Sequence, residues 1–214
     1  MPSPIDWQGM KGRTVVEGGY KTLVIDPPWR YRSSDILTRG FHKTASVGTT
    51  KPGEAEGQYT TMTNAEIAAL PIGELAAKDA QLYLWVTNPR MYGERDGAYS
   101  PLEIIEGWGF EYKTMLTWVK QGAPGLGFYF RGNTEHVLFC TRGDVKIPPA
   151  DREPNVITAP KGRHSQKPDA FYDLVERVSL EPRVELFARR ARLSGWDYWG
   201  NESIGTAEMP EVAA

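Results

Sequence analysis

The strongest constraint on the fold is the point where the apolar run Leu23-Val24-Ile25 meets Asp26-Pro27-Pro28-Trp29. Adjacent aliphatic residues, two of them β-branched, are typical of a buried strand, and two prolines cannot continue its hydrogen-bond ladder. Proline fixes its own φ and restricts the residue before it, so this strand end holds a carboxylate and a carbonyl at little entropic cost. Open α/β sheets bind ligands at the carboxyl ends of their strands. The sequence therefore predicts a binding site at Asp26.

The residue types of this tetrapeptide suit a flat heteroaromatic amine. The exocyclic nitrogen of adenine is a poor nucleophile because its lone pair is delocalised into the ring. If the Asp26 carboxylate and the Pro27 carbonyl accept the two amino hydrogens, the lone pair localises and can point at an electrophile. Trp29 offers a π-face worth roughly 1–3 kcal/mol against a splayed base. The alternative interpretation is structural: an Asp-Pro turn that ends a strand, followed by a core tryptophan.

Composition narrows the functional classes. The chain has 214 residues, of which 40% are hydrophobic and 24% charged, as in ordinary soluble globular proteins. A net charge of −2 provides no global basic field, so any binding of nucleic acid must use local patches. The single cysteine, Cys140, excludes an intramolecular disulfide, and the three histidines lack metal-site spacing, so no metal is predicted. Without a signal peptide or an apolar stretch of membrane length, the sequence predicts a cytoplasmic protein.

The pattern along the chain predicts an α/β sandwich. Seven short strands alternate with three or four helices, which indicates a mostly parallel sheet between helical layers. The predicted strands are residues 20–25, 81–86, 112–119, 134–140, 155–158, 184–187 and 196–199. Capping signals at Thr63, Ser100 and Pro168 predict the starts of three helices. Residues 30–61 have no periodicity, and so long a loop beside a strand end is typically functional.

A second group of informative residues lies toward the end of the chain. A sulfonium cofactor needs a cation for its carboxylate, an acceptor for its ammonium, acceptors for its ribose diol and an apolar contact for its adenine. Lys167, at a helix start, can supply the cation, and Asp26 can accept from the ammonium. Asn201 and Glu202 suit the diol, and Phe187 suits the adenine face. Each also has an ordinary interpretation as a solvated lysine, a polar turn or a core aromatic ring.

Five short segments match a known protein family in both identity and order. They are Asp26-Pro27-Pro28-Trp29, Leu84-Trp85-Val86-Thr87, Lys167-Pro168, Glu185-Leu186-Phe187-Ala188-Arg189 and Gly200-Asn201-Glu202. Together they resemble the MT-A70 family of adenine methyltransferases over residues 20–202. The resemblance implies a Rossmann-like fold in a permuted order, with the catalytic motif before the cofactor-binding strand. We expect one methyltransferase domain over residues 1–214, of bacterial or phage type, with a short flexible tail at 203–214.

The resemblance also implies a reaction and a set of site residues. The cofactor is expected to be S-adenosyl-L-methionine, and the reaction methyl transfer to the N6 amine of adenine in nucleic acid. By analogy Asp26, Pro27, Pro28 and Trp29 form the catalytic element. The expected cofactor-binding residues are Asp26, Lys167, Phe187, Arg189, Asn201 and Glu202. The expected substrate-binding residues are Trp29, Arg30, Tyr59, Lys161, Arg163 and His164, with Tyr59 matching a tyrosine of the family's active-site loop.

Several alternatives stay open at this point. DNA is favoured over RNA as the substrate because the architecture is that of a bare catalytic domain, and a homodimer is compatible with the sequence. A non-catalytic nucleic-acid-binding subunit of the same fold is disfavoured by the intact tetrapeptide. A cytosine-N4 methyltransferase usually has a different first catalytic residue, and a small-molecule N-methyltransferase does not need the long basic and aromatic loop. Because Asp26 ends a strand in a cleft, its carboxylate is expected to contribute little to stability.

Overall fold

The computed structural model of the chain describes residues 16–30, 54–55, 59–92, 99–125, 129–162, 166–188 and 195–200. These residues form an α/β structure, as predicted. The strands are β1 (Tyr20–Ile25), β2 (Glu54–Ala55), β3 (Tyr59–Thr60), β4 (Ala76–Val86), β5 (Glu111–Gln121), β6 (Thr134–Arg142), β7 (Val156–Pro160), β8 (Arg183–Leu186) and β9 (Trp196–Trp199). The helices are α1 (Asn64–Ala68), α2 (Ile72–Leu75), α3 (Pro101–Gly107) and α4 (Asp169–Val178), with 3₁₀ turns at Asn88–Arg90 and Pro149–Asp151.

Seven of the strands form one sheet in the order β7-β5-β6-β4-β1-β8-β9. All neighbouring pairs are parallel except β4 with β6 and β5 with β6, so six strands run in one direction and β6 runs against them. The start of β6 therefore lies at the same edge as the carboxyl ends of the other six strands. This edge is called the C-terminal edge below. Because β1 lies between β4 and β8, Asp26 comes to the middle of that edge.

Strand β1 is buried on both faces. Leu23 and Ile25 belong to a core on one side of the sheet, which α1, α2 and α3 cover, and Val24 belongs to a core on the other side, which α4 covers. On the second side the rings of Trp85 and Phe171 meet edge to face, with centroids 4.7 Å apart. A strand covered on both faces reads as a continuous apolar run, which is why its position was predictable.

The predicted helix starts are confirmed at two capping boxes. The hydroxyl of Thr63 accepts from the backbone N–H of Glu66, whose carboxylate accepts from the N–H of Thr63, and α1 begins at the next residue. Ser100 and Glu103 repeat this arrangement before α3. Such reciprocal bonds satisfy backbone donors that a helix start leaves unpaired. Among the described residues, no helix is long and apolar enough to cross a membrane.

The largest departures from the predicted elements are in two places, whereas the other strands differ from the prediction by at most two residues at an end. Strand β4 begins at Ala76, whereas the sequence predicted a start at residue 81. The predicted start is too late because the exposed polar pair Lys78-Asp79 lies within the strand. Asp79 has a structural role there, since its carboxylate accepts from the backbone N–H of Asp144 at 2.8 Å. Residues 30–61, predicted to be an irregular loop, contain the antiparallel pair β2–β3. Two-residue strands are too short to produce a periodic pattern.

The turn that leads into β1 provides a test of how tightly β1 and β4 are packed. Gly18 and Gly19 both have positive φ, at 81° and 78°. A Cβ on Gly19 would lie 2.7 Å from the backbone nitrogen of Ala77 in β4, whereas a Cβ on Gly18 would meet nothing within 4 Å. The left-handed conformation costs an alanine about 1–2 kcal/mol at either position. We therefore expect Gly19→Ala to lower the free energy of unfolding in urea clearly more than Gly18→Ala. Equal losses would contradict this packing.

Candidate active site

Asp26 and Lys167, which are far apart in sequence, form an ion pair at the C-terminal edge. The Lys167 Nζ lies 3.1 Å from the Asp26 Oδ2, and the two side chains are 9% and 20% exposed. Asp26 directly follows β1, and Lys167 directly precedes Pro168, the N-cap of α4. A strand end and a helix start meet here because α4 begins at the edge where the parallel strands end. The structure thus brings together two residues that the sequence predicted for one site.

A second carboxylate, which sequence reasoning missed, contacts the same lysine. The Glu135 Oε2 lies 2.9 Å from the Lys167 Nζ, and the other carboxylate oxygen of Glu135 pairs with Lys120. Lys120 lies near the end of β5, and Glu135 near the start of β6. Lys120, Glu135, Lys167 and Asp26 alternate in charge and are called the charge chain below. In the sequence Glu135 belongs to no motif, because its position becomes informative only once β6 is known to run against its neighbours.

The opposite charges in the charge chain keep Lys167 and Glu135 ionised near neutral pH. Burial would lower the pKa of Lys167, but the carboxylates of Asp26 and Glu135 outweigh that effect and raise this pKa to about 12. Burial would raise the pKa of Glu135, but the ammonium groups of Lys167 and Lys120 hold it below its usual value. The Lys167 ammonium also lies 4.5 Å from the centroid of the Trp85 ring, at a distance for a cation–π contact. Lys167 is therefore a fixed, buried cation.

Backbone hydrogen bonds fix the turn that follows Asp26. The Pro28 carbonyl accepts from the N–H of Met62 at 2.8 Å, and the N–H of Arg30 donates to the Met62 carbonyl at 2.9 Å. The Pro27 carbonyl accepts from the N–H of Trp29 at 2.8 Å. Because a carbonyl oxygen has two lone pairs, the bond from Trp29 leaves the second lone pair of the Pro27 oxygen for a ligand. The turn is therefore held in one conformation by the segment before α1.

Trp29 contributes an anchor in this conformation, with little free ring surface. Its side chain is 4% exposed, and its indole N–H donates to the backbone carbonyl of Trp85 at 3.0 Å. The hydrogen bond ties the turn after β1 to the end of β4. The π-face that the sequence suggested for a base is thus largely covered by core residues. The buried indole N–H is satisfied by this bond to the Trp85 carbonyl, which is why the ring can be buried beside β4.

The ends of β8 and β9 form a close backbone contact beside β1. Phe187, the residue after β8, has a φ of 65°, which is uncommon for a residue with a Cβ. Its ring meets that of Trp199 edge to face, with centroids 5.5 Å apart, and the Ala188 N–H donates to the Trp199 carbonyl at 3.1 Å. A Cβ on Gly200 would lie 2.4 Å from the Ala188 carbonyl oxygen, so this approach requires glycine. Phe187 is partly buried at the same edge as Asp26.

The other predicted site residues are placed in part. Arg30 is exposed, and Lys161, after β7, donates from Nζ to the Ala123 carbonyl at 2.5 Å. Tyr59 lies in β3, but its side chain is outside the described residues, as are Arg163, His164, Arg189, Asn201 and Glu202. Within the described ranges, no three histidine, cysteine, aspartate or glutamate side chains gather into a group that could hold a metal ion.

Comparison with known proteins places the chain among methyltransferases. A type II methyltransferase, M.MunI, from a Mycoplasma species is 30% identical over 190 residues, which cover 86% of this chain and 77% of that protein. The N6-methyladenosine RNA methyltransferase MTA1 of Cryphonectria parasitica is 27% identical over 193 residues, covering 86% of this chain and 52% of MTA1. The N(6)-adenine-specific methyltransferase METTL4 of Mus musculus is 26% identical over 207 residues, which cover 89% of this chain and 39% of METTL4. The chain thus spans about half or less of the length of the last two relatives.

The family assignment rests on most of the chain. The MT-A70 family model matches residues 20–202, a range that includes β1 to β9 and all four members of the charge chain. The tetrapeptide Asp26-Pro27-Pro28-Trp29 and Lys167-Pro168 lie within the matched range, and Asp26 and Lys167 meet at the C-terminal edge. The chain belongs to the MT-A70 family of methyltransferases.

Proposed function

We propose that the protein transfers a methyl group from S-adenosyl-L-methionine to the exocyclic N6 amine of adenine in nucleic acid. The observation that carries this proposal is the Asp26–Lys167 pair, which presents a carboxylate and a buried cation in the middle of the C-terminal edge. DNA is the favoured substrate, since the chain matches more of the length of M.MunI than of the RNA methyltransferase MTA1. RNA is the alternative, supported by the relationship to MTA1.

The residues at this edge fit the proposed cofactor. Lys167 offers a fixed cation to a carboxylate, and Asp26, which is more exposed, offers an acceptor to an ammonium. Phe187 presents an aromatic ring next to β1. S-adenosyl-L-methionine, when bound, would supply an electrophilic methyl group, and its sulfonium would leave as a neutral thioether when the carbon–sulfur bond breaks. Arg189, Asn201 and Glu202, which follow the ends of β8 and β9 by two or three residues in sequence, are proposed to contact its ribose.

The chain's own contribution to the reaction is to hold and orient the amine. The Asp26 carboxylate and the free lone pair of the Pro27 carbonyl accept the two amino hydrogens, which localises the nitrogen lone pair. Positive charge develops on this nitrogen as it gains the methyl group, and a fixed carboxylate stabilises that charge by preorganisation. The nitrogen then loses a proton to Asp26 or to water. Trp29 acts here as a positioning residue, since its bond to Trp85 holds the turn in place.

Glu135 is proposed as a second positioning residue. Glu135 contacts Lys167 and Lys120 and thereby orients the Lys167 ammonium. In this proposal Glu135 does not contact the substrate. With two carboxylates around it, Lys167 stays charged despite its burial. Lys167 can therefore attract the cofactor's carboxylate without losing its proton.

The first test of this function is the activity of Asp26 variants. Wild-type protein incubated with isotope-labelled cofactor and either DNA or RNA should yield labelled N6-methyladenine nucleosides by mass spectrometry. Asp26→Ala should abolish the product because the amine loses its charged acceptor, and Asp26→Asn should retain reduced activity because an amide still presents a carbonyl. Turnover of the wild-type kind in Asp26→Ala would refute the assignment.

A folding control belongs with this test. The ion pair revises the sequence-based expectation that Asp26 matters little for stability, since its removal leaves the buried Lys167 with one counter-charge instead of two. Thermal unfolding and cofactor binding should therefore be measured for each Asp26 variant. A variant that unfolds at the assay temperature says nothing about the acceptor role, and Asp26→Asn, which keeps the shape of the side chain, then becomes the decisive comparison.

The second test concerns the cation that holds the cofactor. Lys167→Ala should weaken binding of S-adenosyl-L-methionine by about 1.5–3 kcal/mol, the range for a hydrogen bond to a charged group. Isothermal titration calorimetry measures the change directly. Lys146→Ala is a matched control, because Lys146 is an exposed lysine that pairs with Asp144. Equal affinity of the Lys167 and Lys146 variants would remove Lys167 from the cofactor site.

The third test examines the charge chain. Glu135→Gln should lower the free energy of unfolding by about 3 kcal/mol, because it leaves the Lys167 and Lys120 ammonium groups facing each other without the carboxylate between them. The double variant Glu135→Gln with Lys120→Met should recover part of this loss, since one of the two cations is then absent. A double-mutant cycle in urea measures this coupling. Strictly additive losses would show that the three side chains do not act together.

A further inference from the structure

Exposed aromatic rings are concentrated at the edge of the sheet that carries the site. Among the described residues, five tyrosine or phenylalanine side chains are strongly exposed: Tyr92 (94%), Tyr99 (51%), Tyr112 (41%), Tyr129 (94%) and Phe130 (91%). Tyr112 lies near the start of β5, at the opposite edge. The other four lie in segments that follow the end of β4 or join the end of β5 to the start of β6, both at the C-terminal edge.

Two of these rings, Tyr129 and Phe130, are adjacent in sequence and lie in the loop that leads from Lys120 to Glu135. Backbone bonds close the base of this loop, from the Lys120 N–H to the Asn133 carbonyl at 2.9 Å and from the Gly125 N–H to the Gly132 carbonyl at 2.8 Å. The guanidinium of Arg131 ties the two arms together by donating to the carbonyls of residues 124 and 125 at 3.0 and 3.2 Å. The two rings, called the aromatic pair below, are therefore presented by a braced loop whose arms end in the charge chain.

The sequence around the aromatic pair is locally basic. Residues 121–134 contain Arg131 and no acidic residue. Residues 159–168 contain Lys161, Arg163 and Lys167, again without an acidic residue, although the whole chain has a net charge of −2. Lys161 connects the two segments through its bond to the Ala123 carbonyl. Aromatic faces beside cations are the combination that binds unpaired nucleic-acid strands.

We propose that Tyr129 and Phe130 stack on unpaired bases that neighbour the target adenine. The reference to a target adenine rests on the proposed function, and the stacking itself rests on exposure, position and charge. Trp29 is buried and offers little ring surface at this edge, whereas the aromatic pair offers two exposed rings. Unpaired bases occur in a single strand and in a duplex opened by extrusion of the adenine. Both sources present the same π-face to the pair.

The experiment measures binding, so it does not depend on methyl transfer. Fluorescence anisotropy measures the Kd of a short labelled single strand of DNA and of a DNA duplex that has a mismatched adenine. Both are measured for the wild type and for the double variant Tyr129→Ala with Phe130→Ala. The double variant should raise the Kd of the single strand by about 10-fold or more. Its thermal stability and its affinity for S-adenosyl-L-methionine should stay unchanged, because both side chains are more than 90% exposed. A similar loss on the duplex identifies locally opened DNA as a further source of the bases.

Two comparison variants isolate the role of the rings. Tyr112→Ala removes an exposed tyrosine at the opposite edge and should leave the Kd unchanged. Exchange of the two rings, Tyr129→Phe with Phe130→Tyr, keeps both π-faces and should bind like the wild type. Loss of binding in the exchange variant would overturn stacking in favour of a specific hydroxyl contact.

The remaining outcomes separate this inference from the proposed function. An unchanged Kd in the alanine double variant, or a wild-type protein that binds no nucleic acid, would overturn the inference. Sedimentation velocity tests the alternative that the aromatic pair contacts a second copy of the chain. A wild-type dimer that becomes a monomer in the double variant, with nucleic-acid binding intact, would assign the pair to self-association. Ring-dependent binding without any methyl transfer would instead refute the proposed function and leave the stacking role in place.

Discussion

The site depends on one buried ammonium group, that of Lys167, held between the carboxylates of Asp26 and Glu135. A cation in such a position is tolerated only when opposite charges and hydrogen bonds replace its hydration. Three separate parts of the chain provide this environment: the end of β1, the start of the reversed strand β6 and the segment before α4. Their meeting at one edge follows from the sheet order, so the architecture and the charge arrangement support each other.

The charge chain also fits the zwitterionic amino-acid part of the cofactor in the proposed function. Lys167 and Asp26 already satisfy each other, so a ligand with a carboxylate and an ammonium would exchange one pair of opposite charges for two. Because a zwitterion has no net charge, such an exchange would leave the net charge of the site unchanged. The turn after Asp26 is held by Met62 and by the indole of Trp29, and its acceptors need no rearrangement. If the aromatic pair stacks on bases as proposed, Trp29 anchors the turn and the exposed rings of Tyr129 and Phe130 make the base contacts.

Elements with strong local signals were predictable. Strand β1 is a continuous apolar run that ends at prolines, and both capping boxes consist of side chains three residues apart that bond to each other's backbone. The start of β4 was missed because exposed Lys78 and Asp79 resemble a loop, whereas the parallel pairing of Ala76 with Tyr20 of β1 begins the strand before them. The pair β2–β3 was missed because two residues cannot show a period.

Residue chemistry placed Asp26 and Lys167 in one predicted site, and the structure brings the two side chains together, because a strand end at prolines and a helix start can both be recognised from local sequence. The role of Glu135 could not be read in this way, because an acidic residue at the start of a strand reaches the site only if that strand runs against its neighbours. The burial of Trp29 likewise depends on a carbonyl of β4, 56 residues away. Contacts between segments distant in sequence depend on strand order and direction, and these are properties of the folded chain.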